Sequence, residues 1–391
     1  MNADSHLLMT YTILRVAGMK QEDAWLAAYC AETIDINIFE ITIPFADGTT
    51  YTPKRTFLPT WFQSGVIENF EMCHVFDTDQ MFHFVIPGAP INGVNQLTTP
   101  ANDLEGNITN QTIEHLMYEG CKPQPYRSTA GKGLGTDLYT FGCILHMLAD
   151  TFSHQQFYGN KDKRNVPVSY DGLPLSFEEK AEANTLYEMG LDEGHGQLMH
   201  LPDAPMLQYS WQRKVEGNPS VKRDNALEWK KSFIAIYRFA RYYLNGCQEV
   251  PEINMPDELL GQFVQYYEDH KALYRTPRFT REQFDAWYQA IESGRFIDCD
   301  GKKIQDNLPE YNEIDIWWNC FQHSSERPMP ERDKPHPEIY AGEIKLYNDA
   351  FFQKEKFHQT DMYKFWSAVD RIYDWMVAYY KSLGIDRPAC P

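Results

Sequence analysis

The sequence predicts an all-α protein, and three observations carry that expectation. Apolar and aromatic residues recur at helical spacing over long segments, as from Leu227 to Asn245, where Trp229, Phe233, Ile236, Tyr237 and Phe239 form one stripe. Proline- and glycine-marked stretches such as Phe84 to Asn107 separate those segments as loops. The segment from Asp137 to Gln155 is apolar on most of its circumference, which is the pattern of a central, buried helix. With 391 residues, 43% of them apolar and 14% aromatic, the chain is long enough to close a large core around that helix.

In chain order, Ser5 to about Arg15 reads as a buried helix that Gly18 ends, and Lys20 to Ile34 as a second helix with Ala24, Ala27, Ala28 and Cys30 as small packing residues. An antiparallel pair of this length returns Asp35, placed just past the second helix, to the side of His6. Glu40 to Pro59 reads as a loop or short hairpin, and Cys73-His74-Val75-Phe76-Asp77 lies in a segment without helical period. Ile108 to Glu119 follows as a helix, then the central helix, a polar connection over Tyr158 to Pro174, and a helix over Ser176 to Met189. Glycines flank His195 and permit close backbone approach, while His200 and Asp203 sit in a proline-containing turn. The remainder reads as helices at Leu227 to Asn245, Pro256 to Tyr274, Thr280 to Ser293, Glu310 to His323, Glu343 to Lys356 and Asp361 to Leu383, with an exposed linker at Pro328 to Pro337. The polar chemistry is concentrated early. A metal-binding helical core over 1–210 with a helical extension over 211–391 packed on it, or one continuous domain, is the expected organisation.

The central helix carries His146, Asp150 and His154 at positions i, i+4 and i+8, which share one helical face. Eight residues at about 1.5 Å each separate the outer two by roughly 12 Å along the axis. Metal–ligand bonds are only about 2.0 to 2.2 Å long, so one ion cannot bind both histidines. His146 and Asp150 suit one ion, and Asp150 or His154 reaches a second.

The formal charge of −19 and the lack of a long basic run argue against a nucleic-acid duplex or a stable membrane association. No window approaches 18 consecutive apolar residues, and the start shows no basic segment followed by an apolar one, so a cytoplasmic location is expected. The eight cysteines are scattered without a Cys-x-x-Cys pair, which suits free thiols. There is no glycine-rich phosphate loop and no Gly-x-Ser-x-Gly elbow.

Taken in order, Ser5-His6-Leu7, Asp35, Cys73-His74-Val75-Phe76-Asp77, His146-x3-Asp150, His154 and His195 resemble the zinc-dependent phospholipase C and P1-type nuclease superfamily, over roughly residues 4 to 203. The resemblance implies a helical fold around two or three zinc ions. His74, His146 and Asp150 would hold one metal, and Asp150 would bridge to a second that His6 also binds. Asp35 would be a ligand or the general base, and His154 with His195 would build a third site. Asp4 stands where those enzymes use their processed amino terminus. The spacing differs in that three residues, not five, separate Asp150 from His154, and 40 lie between His154 and His195. The implied activity is that of a metal-dependent hydrolase, a phosphoesterase or phosphodiesterase acting on a small phosphate ester. Two alternatives stand beside it: a metalloenzyme of other chemistry, an iron oxygenase or a Lewis-acid cyclase or amidohydrolase with iron or manganese as the metal, and a non-catalytic metal-binding helical protein.

Overall fold

The structure is a computed structural model, and it describes residues 4–37, 42–56, 78–88, 98, 100–101, 109–120, 137–155, 157, 167–170, 173–174, 201–211, 221–247, 254–275, 280–309 and 354–384. The chain starts in a wide π-helical turn, Asp4–Met9, that runs directly into α1 (Thr10–Val16). Gly18 ends this element with φ +95°, a conformation that side-chain-bearing residues rarely adopt. Helix α2 (Gln21–Ile36) packs on both. It extends two residues beyond the expected end, so Asp35 belongs to its last turn rather than to the chain past it.

The short helices α3 (Thr78–His83) and α4 (Gln111–Gly120) precede the buried helix α5 (Leu138–Ser153). Asp137 caps α5 by accepting the Thr140 N–H at 2.9 Å. Helix α5 crosses α2 at Gly142, and this crossing depends on the missing side chain. A β-carbon at Gly142 would lie 2.3 Å from the Ala27 carbonyl oxygen and 2.6 Å from Cys30 Cβ.

The second half supplies α6 (Asn225–Leu244), α7 (Asp257–Asp269), α8 (Lys271–Tyr274), α9 (Arg281–Glu292), α10 (Lys354–Phe357) and α11 (Asp361–Ser382). The single helix expected over Pro256 to Tyr274 is two, broken at His270. Both α6 and α11 pack against α5. One continuous apolar core runs from Leu7 to Tyr380 and takes Trp229, Trp287 and Trp366 from the second half. The helices expected at Ser176 to Met189 and Glu310 to His323, most of the one at Glu343 to Lys356, and the linker at Pro328 to Pro337 lie outside the described residues. Among the described residues, no helix is long and apolar enough to cross a membrane.

The described chain is mostly helical, as expected, but it also carries strands. A hairpin pairs β1 (Ile43–Pro44) with β2 (Thr50–Tyr51) in the stretch read as a loop or hairpin. The strands β3 (Pro167–Tyr170), β4 (Leu173–Pro174), β5 (Gln208–Trp211) and β6 (Val221–Asp224) form an antiparallel sheet in the order β4-β3-β5-β6. Two of these strands fall in the expected polar connection. Strands of two to four residues are too short to display a readable alternation, which is why the pattern does not announce them.

Candidate metal centre

Five side chains from four elements meet beside the α2–α5 crossing. The π-helical turn presents His6, the last turn of α2 presents Asp35, the end of α3 presents His83, and α5 presents His146 and Asp150 on one face. Asp150 lies at the middle of the group. Its Oδ1 is 3.1 Å from His6 Nε2, and its Oδ2 is 3.0 Å from both His83 Nδ1 and His146 Nε2. Asp35 stands farther off, with Oδ2 3.5 Å from His6 Nε2 and Oδ1 3.5 Å from His83 Nδ1 and 3.7 Å from His146 Nε2. Asp35 is also the accessible member, with 26% of its side chain exposed, while His6, His146 and Asp150 are fully buried.

The imidazole rings are oriented from behind. His146 Nδ1 pairs with the Ala31 carbonyl at 2.8 Å, and His83 Nε2 pairs with the Thr56 carbonyl at 3.1 Å. A carbonyl accepts only, so this network assigns the proton to those nitrogens and leaves the lone pairs of His146 Nε2 and His83 Nδ1 facing inward. The two nitrogens are 3.1 Å apart and each is 3.0 Å from Asp150 Oδ2. Acceptors converging in this way repel one another unless a cation lies among them. Backbone carbonyls that fix the outer ring nitrogen are also the usual support of metal-ligating histidines. His6 points the same way: it is fully buried, and neither ring nitrogen makes a hydrogen bond of normal geometry.

The electrostatics suit ligation. Burial pushes His6 and His146 each down to about 4, so both rings are neutral at pH 7, the form that binds metal. Burial also opposes ionisation of Asp150, but the surrounding His154, His146 and His6 outweigh it and hold the carboxyl well below its ordinary value. For Asp35 burial wins: its carboxyl is raised against the pull of His6 and His83, with Asp150 pushing in the same direction. His6, Asp35, His146 and Asp150 can each offer one donor atom such that all four lie within 4.8 Å of one another, a buried group that could hold a metal ion.

His154 caps α5 with its N–H on the Asp150 carbonyl at 2.8 Å and lies at the edge of the cluster, its Nδ1 3.5 Å from Asp150 Oδ2. That Nδ1 donates to the His83 carbonyl at 2.7 Å, the ring stacks on Phe84, and Nε2 faces Asp203 at 3.9 Å, so no ring lone pair is turned to the cluster. Other expected residues stand elsewhere. Asp4 is buried but turned away from the cluster, towards Tyr274 and Trp287. His74, His195 and His200 lie outside the described residues. His83 is the ligand-type residue that sequence reasoning missed. Its signal is an isolated histidine inside the apolar run Met81-Phe82-His83-Phe84-Val85, where an unpaired imidazole would be costly.

Asp4 gives a pH prediction. Burial raises its carboxyl to about 7, with Tyr274 and Trp287 opposing, against a value of 3.8 for the free group. As pH rises from 3.8, the unfolded chain ionises Asp4 first, and native stability falls through that window until about pH 7. Asp4→Asn removes this loss. Relative to wild type, the variant is expected to be unchanged near pH 4 and more stable above pH 7, by roughly 4 kcal/mol at most. Urea unfolding of the metal-free proteins at the two pH values measures this, and equal offsets at both would contradict it.

Residues 1–380 match a family described as a family of unknown function, DUF6765. The chain belongs to that family. No curated protein and no solved structure matches it. For this DUF6765 member, the cluster itself therefore carries the functional argument.

Proposed function

We propose that the cluster is a two-cation centre that activates water to hydrolyse a small phosphate ester. The observation that carries this reading is the way Asp150 is divided, with Oδ1 facing His6 and Oδ2 facing His83 and His146 at 3.0 to 3.1 Å. Asp35 repeats the division at longer range. His6 with Asp150 Oδ1 would hold one cation, and His83 and His146 with Asp150 Oδ2 the second, which leaves the looser Asp35 beside the pair. Neutral imidazole and carboxylate donors suit zinc, with iron or manganese as the other metals this donor set accepts. This assignment keeps the proposed kinship with the zinc-dependent phospholipase C and P1-type nuclease superfamily, with His83 in the role first expected of His74.

Bound there, a pair of divalent cations supplies Lewis acidity, which brings the pKa of a bound water towards neutrality and offsets charge on a phosphoryl oxygen. The residues supply the rest. Asp35, looser and open to solvent, would orient the water and receive its proton at a carboxylate oxygen. Asp150 stays ionised and holds the two histidine groups in register. Two carboxylates against two divalent cations leave a local positive excess in a chain of net charge −19. Such an excess favours an anionic group at the site itself.

The test is turnover of a panel of phosphomonoesters and phosphodiesters by the full chain loaded separately with zinc, manganese or iron, wild type beside Asp35→Asn. We expect turnover by at least one loaded form, and a loss of about 100-fold or more in the variant with its metal retained. Metal-loaded wild type that turns over no ester would remove the hydrolase reading.

A further inference from the structure

We infer that α11, at the far end of the chain, sets the orientation of His83, and that Trp366 and Asp370 are positioning residues of the metal centre. The inference rests on reading the cluster as a metal centre, and it assigns a task to the second half of the molecule.

A run of short hydrogen bonds carries the argument. His83 is oriented by the Thr56 carbonyl, and Thr56 is itself fully buried. Its N–H donates to the Asn37 carbonyl at 2.9 Å and its hydroxyl to the Ile34 carbonyl at 2.6 Å, so it is moored to the end of α2 that also carries Asp35. Asn37, fully buried, donates through Nδ2 to the Lys54 carbonyl at 3.0 Å and accepts the Trp366 indole N–H at Oδ1, 3.1 Å away. One turn further along α11, Asp370 accepts the Tyr51 hydroxyl at 2.8 Å and the Lys54 backbone N–H at 3.4 Å, and it pairs with the Lys54 ammonium at 3.5 Å.

Trp366 and Asp370 are four apart on one helix and therefore address the same strip of chain, residues 51 to 56. That strip contributes one residue, Tyr51, to the hairpin, and a two-residue strand pairing holds little by itself. Among the described residues, α11 and α2 thus help to place the Thr56 carbonyl through the strip around it. If it shifts, His83 can exchange its protonated nitrogen or rotate, and the lone pair facing Asp150 is lost. Partners beyond the ligands typically change metal affinity by about 10- to 100-fold when removed.

The experiment compares zinc affinity, by competition with a chromophoric chelator, in full-length wild type, His83→Ala, Trp366→Phe and Asp370→Asn, and in the double variants that combine each α11 change with His83→Ala. Trp366→Phe keeps the ring packing and removes the N–H, and Asp370→Asn serves if the first variant fails to fold. We expect wild type to bind two zinc ions and His83→Ala to lose affinity at one of them. Each α11 variant should weaken that same site by about tenfold. The double variants should bind no more weakly than His83→Ala alone, because the α11 effect acts through His83. Additive losses in the double variants, or a lower zinc-free melting temperature with unchanged zinc affinity, would overturn the inference and leave α11 a structural prop. Wild type that binds no zinc would overturn the metal-centre reading itself.

Discussion

Alanine at Asp150 is expected to abolish metal binding at both positions and with it all metal-dependent stabilisation. Asp150 is the one side chain that approaches three histidines at 3.0 to 3.1 Å, and it is fully buried, so water cannot readily replace the lost oxygens. The remaining donors are neutral imidazoles and the looser Asp35, which alone offset little of a divalent charge. A ligand present at a thousand times its Kd stabilises the native state by about 4 kcal/mol per site. Wild-type protein should therefore melt well above its chelator-treated form, whereas Asp150→Ala should melt at the same temperature with or without metal. Asp150→Asn, which keeps the shape and one oxygen, should fall between them. Thermal melts across a zinc titration read this directly, and a metal-dependent rise in Asp150→Ala equal to that of wild type would contradict it.

The largest expected loss of stability comes from a single methyl group at Gly142. An added β-carbon would meet the backbone oxygen of Ala27 at 2.3 Å, well inside contact distance, and neither helix has a flexible atom there to yield. The α2–α5 crossing must open. Alanine gains about 1 kcal/mol over glycine in helix propensity, but overpacking of this kind typically costs about 1 to 3 kcal/mol and more when backbone must move. We expect a net loss of about 2 kcal/mol or more for Gly142→Ala. Metal affinity should fall too, since α2 carries both Asp35 and the Ala31 carbonyl that orients His146. Gly261, inside α7, is the control: a β-carbon there meets nothing within 4 Å, so Gly261→Ala should stabilise by up to about 1 kcal/mol. Chemical denaturation of both variants checks the pair, and similar effects of the two would contradict the crossing argument.

Where the sequence was informative about the site, helical geometry was the reason. His146 and Asp150 are four apart in an apolar segment, so their shared direction is fixed locally, and two helices of the observed length bring Asp35 back to His6. The same rule brings His154 beside Asp150, 3.5 Å away, but it does not foresee that the ring donates Nδ1 to the His83 carbonyl and so turns no lone pair to the cluster. His83 was not legible for a related reason. It ends a six-residue helix without a readable period, and a backbone carbonyl 27 positions away orients it. Backbone acceptors have no signature in a residue string. The four-stranded sheet was missed because its strands are too short to show an alternation, and because the pairing of β3 with β5 that joins its two hairpins brings together distant parts of the chain.

The measurement that tests the central claim most directly is the metal content of the purified full-length chain after reconstitution and removal of loosely bound ions, with wild type beside Asp150→Ala. The account predicts two divalent ions per wild-type chain and none in the variant. Wild-type protein that retains no metal, or a variant that retains as much as wild type, would contradict it.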